Sequence, residues 1–440
     1  MKRDIEKDLK QWKLETNRLP LLLRGARQTG KTYIIEKFGN ENFKNIVTVN
    51  FEFQREISRC FEKLDPADII NNLQLILNVN IIPGETLLFL DEIQECPDAI
   101  MSLRYFREKI PDLHVIGAGS LLEFALNEKD FRMPVGRVQF LYLKPLSFSE
   151  FLDALDDGRL RSYLSKINLN DPVDEAIHDQ LIELVRKYFI LGGMPAVLSE
   201  YIHSKDMKKC QNILSGILET YRSDFGKYAK NVQHKYLHKL FDAAPRIVGQ
   251  RFKFVNVDPL IRSRELKNAL DLLVLSGVIN PVYASSSSGL PLGAQINEQK
   301  FKLIFLDIGL VQNACGLQAE ISIQKDVLQV NSGLIAEQFV GQELMAYSDK
   351  YKRDNLYFWT REQRSSSAEV DFVVSINSKI FPVEVKSGKT GTLRSLKLFL
   401  TEKKAFLGIR ISRNALSYHD DVLSVPLYMI EQLSRLVEEI

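Results

Sequence analysis

Short apolar runs separated by helix-like stretches fill the first 150 residues: Leu21-Leu22-Leu23, Ile46 to Phe53, Thr86 to Leu90, Leu113 to Gly117 and Gln139 to Leu143. Strands that alternate with helices in this way predict a mostly parallel, doubly wound sheet. From about Ser149 to Lys230 the spacing turns helical, with Phe151, Leu152 and Leu155, then Leu181, Ile182, Leu184, Val185, Tyr188 and Phe189. That pattern predicts a helical subdomain over 151–230. Between 231 and 317, helical stretches lead through Ser263 to Leu275 into Gly277-Val278-Ile279, a polar loop Ser285 to Gly289, and the run Phe301 to Leu306. Helices followed by a small hairpin read as a winged helix, with the serine loop as its wing tip. A fourth unit, 318–440, opens with a helix near Gly333 to Tyr347 and continues with strands Val370 to Ile376 and Ile380 to Val385.

A chain of 440 residues exceeds the size at which single cores stop growing, about 250 to 300 residues, so two to four domains fit. With 45% hydrophobic and 26% charged residues it has the composition of a folded soluble protein. No run approaches the ~18 uninterrupted apolar residues of a membrane span. The N-terminal segment alternates charges with Ile5, Leu9 and Trp12 at helical spacing and lacks a signal-peptide core, so a cytoplasmic location is expected. Cys60, Cys96, Cys210 and Cys315 form no CxxC pair, which argues against a disulfide framework or a zinc site. A net charge of +2 gives no global case for nucleic acid, though one domain could still present a local basic face.

Chemistry enters at Gly25-Ala26-Arg27-Gln28-Thr29-Gly30-Lys31-Thr32, which matches GxxxxGK[ST] after a strand and before a helix. The glycines let backbone N–H groups wrap phosphates beside a positive helix end. Lys31 is placed to reach the β- and γ-phosphates of ATP, and Thr32 to ligate Mg2+. Chance supplies this motif in about 1% of such chains. Leu87 to Leu90 then ends in Asp91-Glu92, the two carboxylates the reaction needs: Asp91 to bind the metal through water and Glu92 to polarise the attacking water. With Lys31, Thr32, Asp91 and Glu92 all present, a vestigial P-loop is disfavoured.

Val115 to Ser120 is a further apolar strand ending in small residues. Ser120 reads either as a sensor of the γ-phosphate or as a helix N-cap before Leu121. Arg137 is the candidate charge-stabilising arginine, acting within the chain or across a subunit boundary of an oligomer; the alternative is a surface salt bridge.

At these residues the chain resembles a family of bacterial and archaeal ATP-binding proteins that join an AAA-type ATPase to a C-terminal domain of unknown function. The resemblance rests on the P-loop, Leu90-Asp91-Glu92-Ile93-Gln94, Gly117 to Ser120, Gly136-Arg137, Pro145 to Phe151 and Gly192-Gly193-Met194-Pro195. It implies a multidomain α/β chain: an AAA/ASCE-type P-loop NTPase core over 1–150, a helical lid over 151–230, a winged helix over 231–317 and a nuclease-like domain over 318–440. Gly119 departs from the pattern, since many relatives carry a second serine there.

In the last unit Glu369-Val370-Asp371 and Pro382-Val383-Glu384-Val385-Lys386 look like the D…ExK signature of PD-(D/E)xK, restriction-endonuclease-like domains. Glu384 and Lys386 share a strand face by the period of two. Asp371 on the neighbouring strand could complete an oxygen-ligand site for Mg2+, with Lys386 orienting water or steadying the scissile phosphate. Glu337 lies on the helical stripe of Leu334, Val340 and Leu344, where a carboxylate is unexpected unless it faces a site. The pattern also survives in binding modules that cut nothing. Lys386, Lys389, Arg394, Lys397, Lys403 and Lys404 offer a basic face for which DNA is the candidate partner, diluted by Glu402. Arg262, Arg264 and Lys267 open a helix whose apolar side holds Leu266, Leu270 and Leu273, suited either to reading DNA or to packing.

Two functions follow. One is Mg-dependent ATP binding and hydrolysis that controls a nucleic-acid-directed, nuclease-like domain. The other is an ATP-driven switch that works through protein contacts on an inactive nuclease-like scaffold.

Overall fold

The computed structural model describes all residues except 121, 123–135, 156–157, 229–230, 317–331, 354, 362–367 and 387–391. Among the described residues, no helix is long and apolar enough to cross a membrane.

The first five strands are β1 (Leu21–Arg24), β2 (Asn45–Asn50), β3 (Thr86–Asp91), β4 (His114–Ala118) and β5 (Gln139–Tyr142). They form one sheet in the order β2-β3-β4-β1-β5, and every pairing is parallel. Strand β3 is buried along its whole length, as a parallel sheet covered on both faces requires. Its side chains divide by the period of two. Leu88 and Leu90 join a core with Val47, Val49 and the helices Pro66–Leu77 and Pro97–Lys109. Leu87 and Phe89 join another with Leu21, Leu23, Ile116 and the helices Ile5–Leu14 and Lys31–Asn42. The predicted strand from Ile46 to Phe53 stops at Asn50, because its side-chain oxygen accepts the N–H groups of Glu52 (3.0 Å) and Phe53 (3.2 Å) and turns the chain.

The remaining strands are β6 (Ile279–Ser285), β7 (Ile296–Phe305), β8 (Leu356–Thr360), β9 (Glu369–Ile376), β10 (Lys379–Val385), β11 (Gly408–Ser412), β12 (Ser417–His419) and β13 (Val422–Pro426). They make a mixed sheet ordered β12-β13-β11-β10-β9-β8-β6-β7. The expected hairpin after the helix Ser263–Leu275 is present as β6 and β7. It is not a free-standing wing, however. Val282 to Ala284 pair in parallel with Leu356 to Phe358 of β8, so the hairpin is the edge of the C-terminal sheet. Local periodicity identifies a strand without naming its partner, and this partner begins only at Leu356, after the helices Ile308–Cys315 and Ser332–Ala346.

Most of the helices from 148 onward and of this sheet share one apolar core, which takes in Ala26 and runs on from Leu146 to Val437 through Tyr188, Phe225, Phe241, Phe305, Phe339 and Met429, while Trp359, Val370, Val373 and Phe399 belong to a smaller cluster. Residues 145–151 and 192–195, which the resemblance singled out, meet in it. Leu146 N–H donates to the Gly193 carbonyl at 2.7 Å, and Gly193 N–H donates to Asp307 at 2.6 Å. Gly192 has φ +68, and a Cβ there would collide with the Asp307 carboxylate, so only glycine fits. The helix Ser332–Ala346 closes the junction with Gln342, which donates to Tyr188 Oη at 2.8 Å, and with Glu343.

Glu343 is 1% exposed, and both its oxygens accept from Phe148 N–H, at 3.0 and 3.2 Å. Burial lifts its pKa to about 8. A carboxyl raised above its unfolded value of 4.5 binds its proton more tightly in the folded chain. Its stabilising contribution is therefore complete below that value and declines as pH rises through about 8. Urea unfolding is expected to show a lower midpoint at about pH 9 than at about pH 6, with a smaller difference in Glu343→Gln. An unchanged difference in that variant would assign the dependence to other groups.

Candidate functional site

The C-terminal ends of β1, β3 and β4 align, since Leu23 pairs with Ala118 and Asp91 pairs with Ala118. The loop after β1 therefore opens beside the carboxylates that end β3. Three left-handed residues shape this loop: Gly25 (φ +147), Gln28 (φ +62) and Gly30 (φ +92). A Cβ on Gly25 would collide with the Leu143 carbonyl, so only glycine passes there. Gly30 leads into the helix Lys31–Asn42 without a side-chain cap, so no side chain occupies the first N–H groups of that helix.

Lys31 is only 7% exposed, and its ammonium donates to the carbonyls of Gly25 (3.0 Å) and Ala26 (2.9 Å). Burial holds its pKa down at about 8, against the pull of Glu92 and Asp91. Thr32 Oγ1 donates to Asp91 Oδ2 at 3.0 Å, and Asn50 Nδ2 reaches the same oxygen at 3.1 Å. Burial raises the Asp91 pKa, and the neighbouring Glu92 adds to that rise. Glu92 sits in the left-handed region (φ +47), its Oε2 accepting from Gln94 Nε2 at 2.7 Å and lying 3.4 Å from both the N and Oγ of Ser120. Lys31, Thr32, Asp91, Glu92 and Ser120 thus come together. Leu121, before which Ser120 was expected to cap a helix, lies outside the described residues.

Gly119 has a structural counterpart for its departure from the resemblance. The Gln94 amide oxygen fills the space where a Cβ would stand, and that oxygen is buried without a hydrogen-bond partner. A serine at this position would require Gln94 to move away from Glu92.

Arg137 is not brought to the site. It precedes β5, which runs parallel to β1, so it lies at the end of the sheet opposite Gly25. Its side chain is half exposed and faces Glu108 at 3.6 Å. The alternative reading, a surface ion pair, describes its position within this chain. Two other arginines touch the P-loop. Arg3 donates to the Thr29 carbonyl (3.3 Å), to the Lys144 carbonyl (2.7 Å) and to Glu150 (3.0 Å). Arg27, within the loop, pairs with Asp224 of the helix Met207–Tyr228, and Tyr221 Oη of that helix donates to the Arg27 carbonyl at 2.7 Å. Sequence reading missed Asn50, Arg3, Tyr221 and Asp224. Asn50 alone carried a signal, as a polar residue closing an apolar strand.

The acidic residues of the C-terminal sheet surround a lysine. Lys302 of β7, 2% exposed, places its ammonium 2.7 Å from Glu369, 3.1 Å from Glu337 and 3.6 Å from Asp371. The other Asp371 oxygen accepts from Val385 N–H at 2.8 Å, and Glu384 Oε1 lies 2.6 Å from Lys386. Burial raises the pKa of Glu337 to about 8 and of Glu384 to about 7, with Asp371 adding to both. Among the described residues no three His, Cys, Asp or Glu side chains are grouped to hold a metal ion. The three carboxylates expected as metal ligands are ion-paired, Glu337 and Asp371 with Lys302 and Glu384 with Lys386. Periodicity could not show this, because Lys302 reads as an ordinary polar position of a hairpin.

The expected basic face is partly engaged. Lys403 donates to Ser288 at 3.0 Å and Lys397 faces Asp420 at 3.9 Å, while Lys389 lies outside the described residues. Leu266, Leu270 and Leu273 pack into the core, leaving Arg262, Arg264 and Lys267 exposed.

Comparison with curated proteins finds no match. Residues 182–321 and 332–428 each match a domain of unknown function, DUF8612 and DUF4143 respectively. Among solved structures, the chain is similar to a Walker-type ATPase of Pyrococcus abyssi, at 18% identity over 71% of this chain and 95% of that one, with a TM-score of 0.46. It is also similar to the ORC1 protein of Aeropyrum pernix in complex with DNA (13% identity, 73% and 94% covered, TM-score 0.31). A third is AMPPCP-bound DnaA from Aquifex aeolicus (12% identity, 61% and 85% covered, TM-score 0.25). Residues 17–152 match an AAA domain, and with the P-loop and the carboxylates of β3 inside that span, this end of the chain is an AAA-type ATP-binding domain.

Proposed function

We propose that the protein is a magnesium-dependent ATPase whose nucleotide state is passed to the C-terminal body through the walls of the P-loop. The observation that carries this reading is the set of contacts on the loop itself. Arg27 is held by Tyr221 and Asp224, a Cβ on Gly30 would touch Pro195 at 3.4 Å, and the Gly277 turn packs near Ala26. A loop held from several sides cannot adapt to the gain or loss of a γ-phosphate without shifting those partners.

The roles within the site follow from the donor set. Lys31 would exchange its two carbonyls for the β- and γ-phosphates. Thr32 and Asp91 already share a hydrogen bond, and their oxygens, with Asn50 behind Asp91, fit a magnesium ion. When bound, that ion neutralises charge on the phosphate oxygens. Glu92 would polarise the attacking water, oriented by Gln94 and Ser120, and Ser120 would sense the γ-phosphate.

For the C-terminal body, the Lys302 cluster favours a nuclease-like scaffold acting through protein contacts over a nucleic-acid-cutting domain. Hydrogen exchange tests the coupling. Amides of 207–228 are expected to exchange more slowly with a non-hydrolysable ATP analogue than with ADP. Asp224→Asn should keep ATP affinity within several-fold while losing that difference. Identical exchange in the two nucleotide states of the wild type would remove the switch and leave the ATPase standing.

A further inference from the structure

We propose that Lys302 is the resident cation of the acidic cluster in the C-terminal body, an ammonium tethered by its own chain where a divalent ion would otherwise neutralise the carboxylates. Three acids converge on it: Glu337 from the helix Ser332–Ala346, and Glu369 and Asp371 from β9. β6 and β8 separate its strand from β9 in the sheet order, so the contact is a tertiary arrangement and no neighbour effect along the chain.

The surroundings are built to keep it there. The ammonium lies 5.3 Å from the ring centre of Phe358. Gly249 (φ +70) packs against Glu337, where a Cβ would stand 3.1 Å from Oε2. A buried lysine without carboxylates, or these carboxylates without a cation, would leave a desolvated charge, so each side fixes the other.

The charge count leaves little for a metal to do. Arg251 pairs with Glu369 at 2.6 Å and Lys386 with Glu384 at 2.6 Å. Together with Lys302 these three cations face four carboxyl groups, so even full ionisation leaves a single negative charge, and the upward-shifted Glu337 and Glu384 leave less. Glu384 Oε2 is buried without a hydrogen-bond partner. A divalent ion would overcompensate and would compete with Lys302 for oxygens it already holds. The cluster therefore acts as a clamp that ties the β6–β7 hairpin, β9 and the helix Ser332–Ala346 into one piece, and it works without metal.

Manganese binding to the nucleotide-free full chain, read by electron paramagnetic resonance, tests this. All variants carry Lys31→Ala and Asp91→Asn to silence the P-loop, so the outcome does not depend on the ATPase reading. With Lys302 present, no Mn2+ site that depends on Asp371 is expected. Lys302→Ala should gain one Mn2+ per chain, lost again on adding Asp371→Asn. Should Lys302→Ala fail to fold, Lys302→Met with Glu369→Gln removes an acid along with the cation and leaves Glu337, Asp371 and Glu384 for the ion. An Asp371-dependent Mn2+ site in the chain that retains Lys302 overturns the proposal, as does a folded Lys302 variant that gains none.

Discussion

Lys31→Ala is expected to lower ATP affinity by about 100-fold and to abolish turnover. The side chain is buried at the mouth of the P-loop, with its ammonium on two carbonyls and a pKa brought down to about 8. That depression records a cation poorly compensated where it stands, and a polyphosphate supplies the missing negative charge. Hydrogen bonds to charged groups contribute roughly 1.5–3 kcal/mol each, so losing the phosphate contacts costs about 3 kcal/mol or more. At about 1.4 kcal/mol per factor of ten, that is a hundredfold. Titration with a fluorescent ATP analogue measures it, and affinity within threefold of the wild type would show that Lys31 does not hold phosphate. The sign of the pH dependence follows as well. ATP favours the charged lysine, so binding should weaken as pH rises through about 8 in the wild type and not in Lys31→Ala.

Glu92→Gln should separate binding from chemistry. The amide keeps the size of the side chain and can still accept from Gln94, but it cannot take a proton from water. General-base assistance contributes roughly 10²–10⁴-fold. Single-turnover hydrolysis is therefore expected to slow by at least about 100-fold, with ATP affinity within a few-fold of the wild type. Equal turnover in the variant would take the proton-accepting role away from Glu92. The backbone of Glu92 is left-handed, a conformation glutamine tolerates about as well, so a loss of rate is not a loss of fold.

The two halves of the molecule differed in how much their sequences disclosed. In the first sheet, strands buried on both faces read as plain apolar runs, and the phosphate loop must follow one of them, so β1, β3 and the residues at their ends were legible. Gly25, Gly30, Lys31, Asp91 and Glu92 fall where the pattern puts them. Arg137 shows the limit of such reading. Chain proximity to the core was visible, but which end of β5 it occupies depends on strand direction in the assembled sheet. The second body was legible as elements and not as an assembly. The β6–β7 hairpin and the β9–β10 hairpin both formed near their expected residues, yet nothing local says that β8 joins them. The same blindness hid Lys302, since its partners lie on other elements far along the chain. Arg3 had no signal either: its partners, the carbonyls of Thr29 and Lys144 and the carboxylate of Glu150, lie far along the chain and meet it only in the folded protein.

The hairpin shared with the C-terminal sheet bears on how this chain can be cut. A fragment begun at residue 318 would lose β6 and β7, baring the backbone groups of β8 along a new edge prone to self-association. It would also strand Glu337, Glu369 and Asp371 without Lys302. The smallest portion able to stand alone therefore starts upstream of Ile279, and the seams along which this protein could be dissected or recombined are not the borders of its sequence motifs.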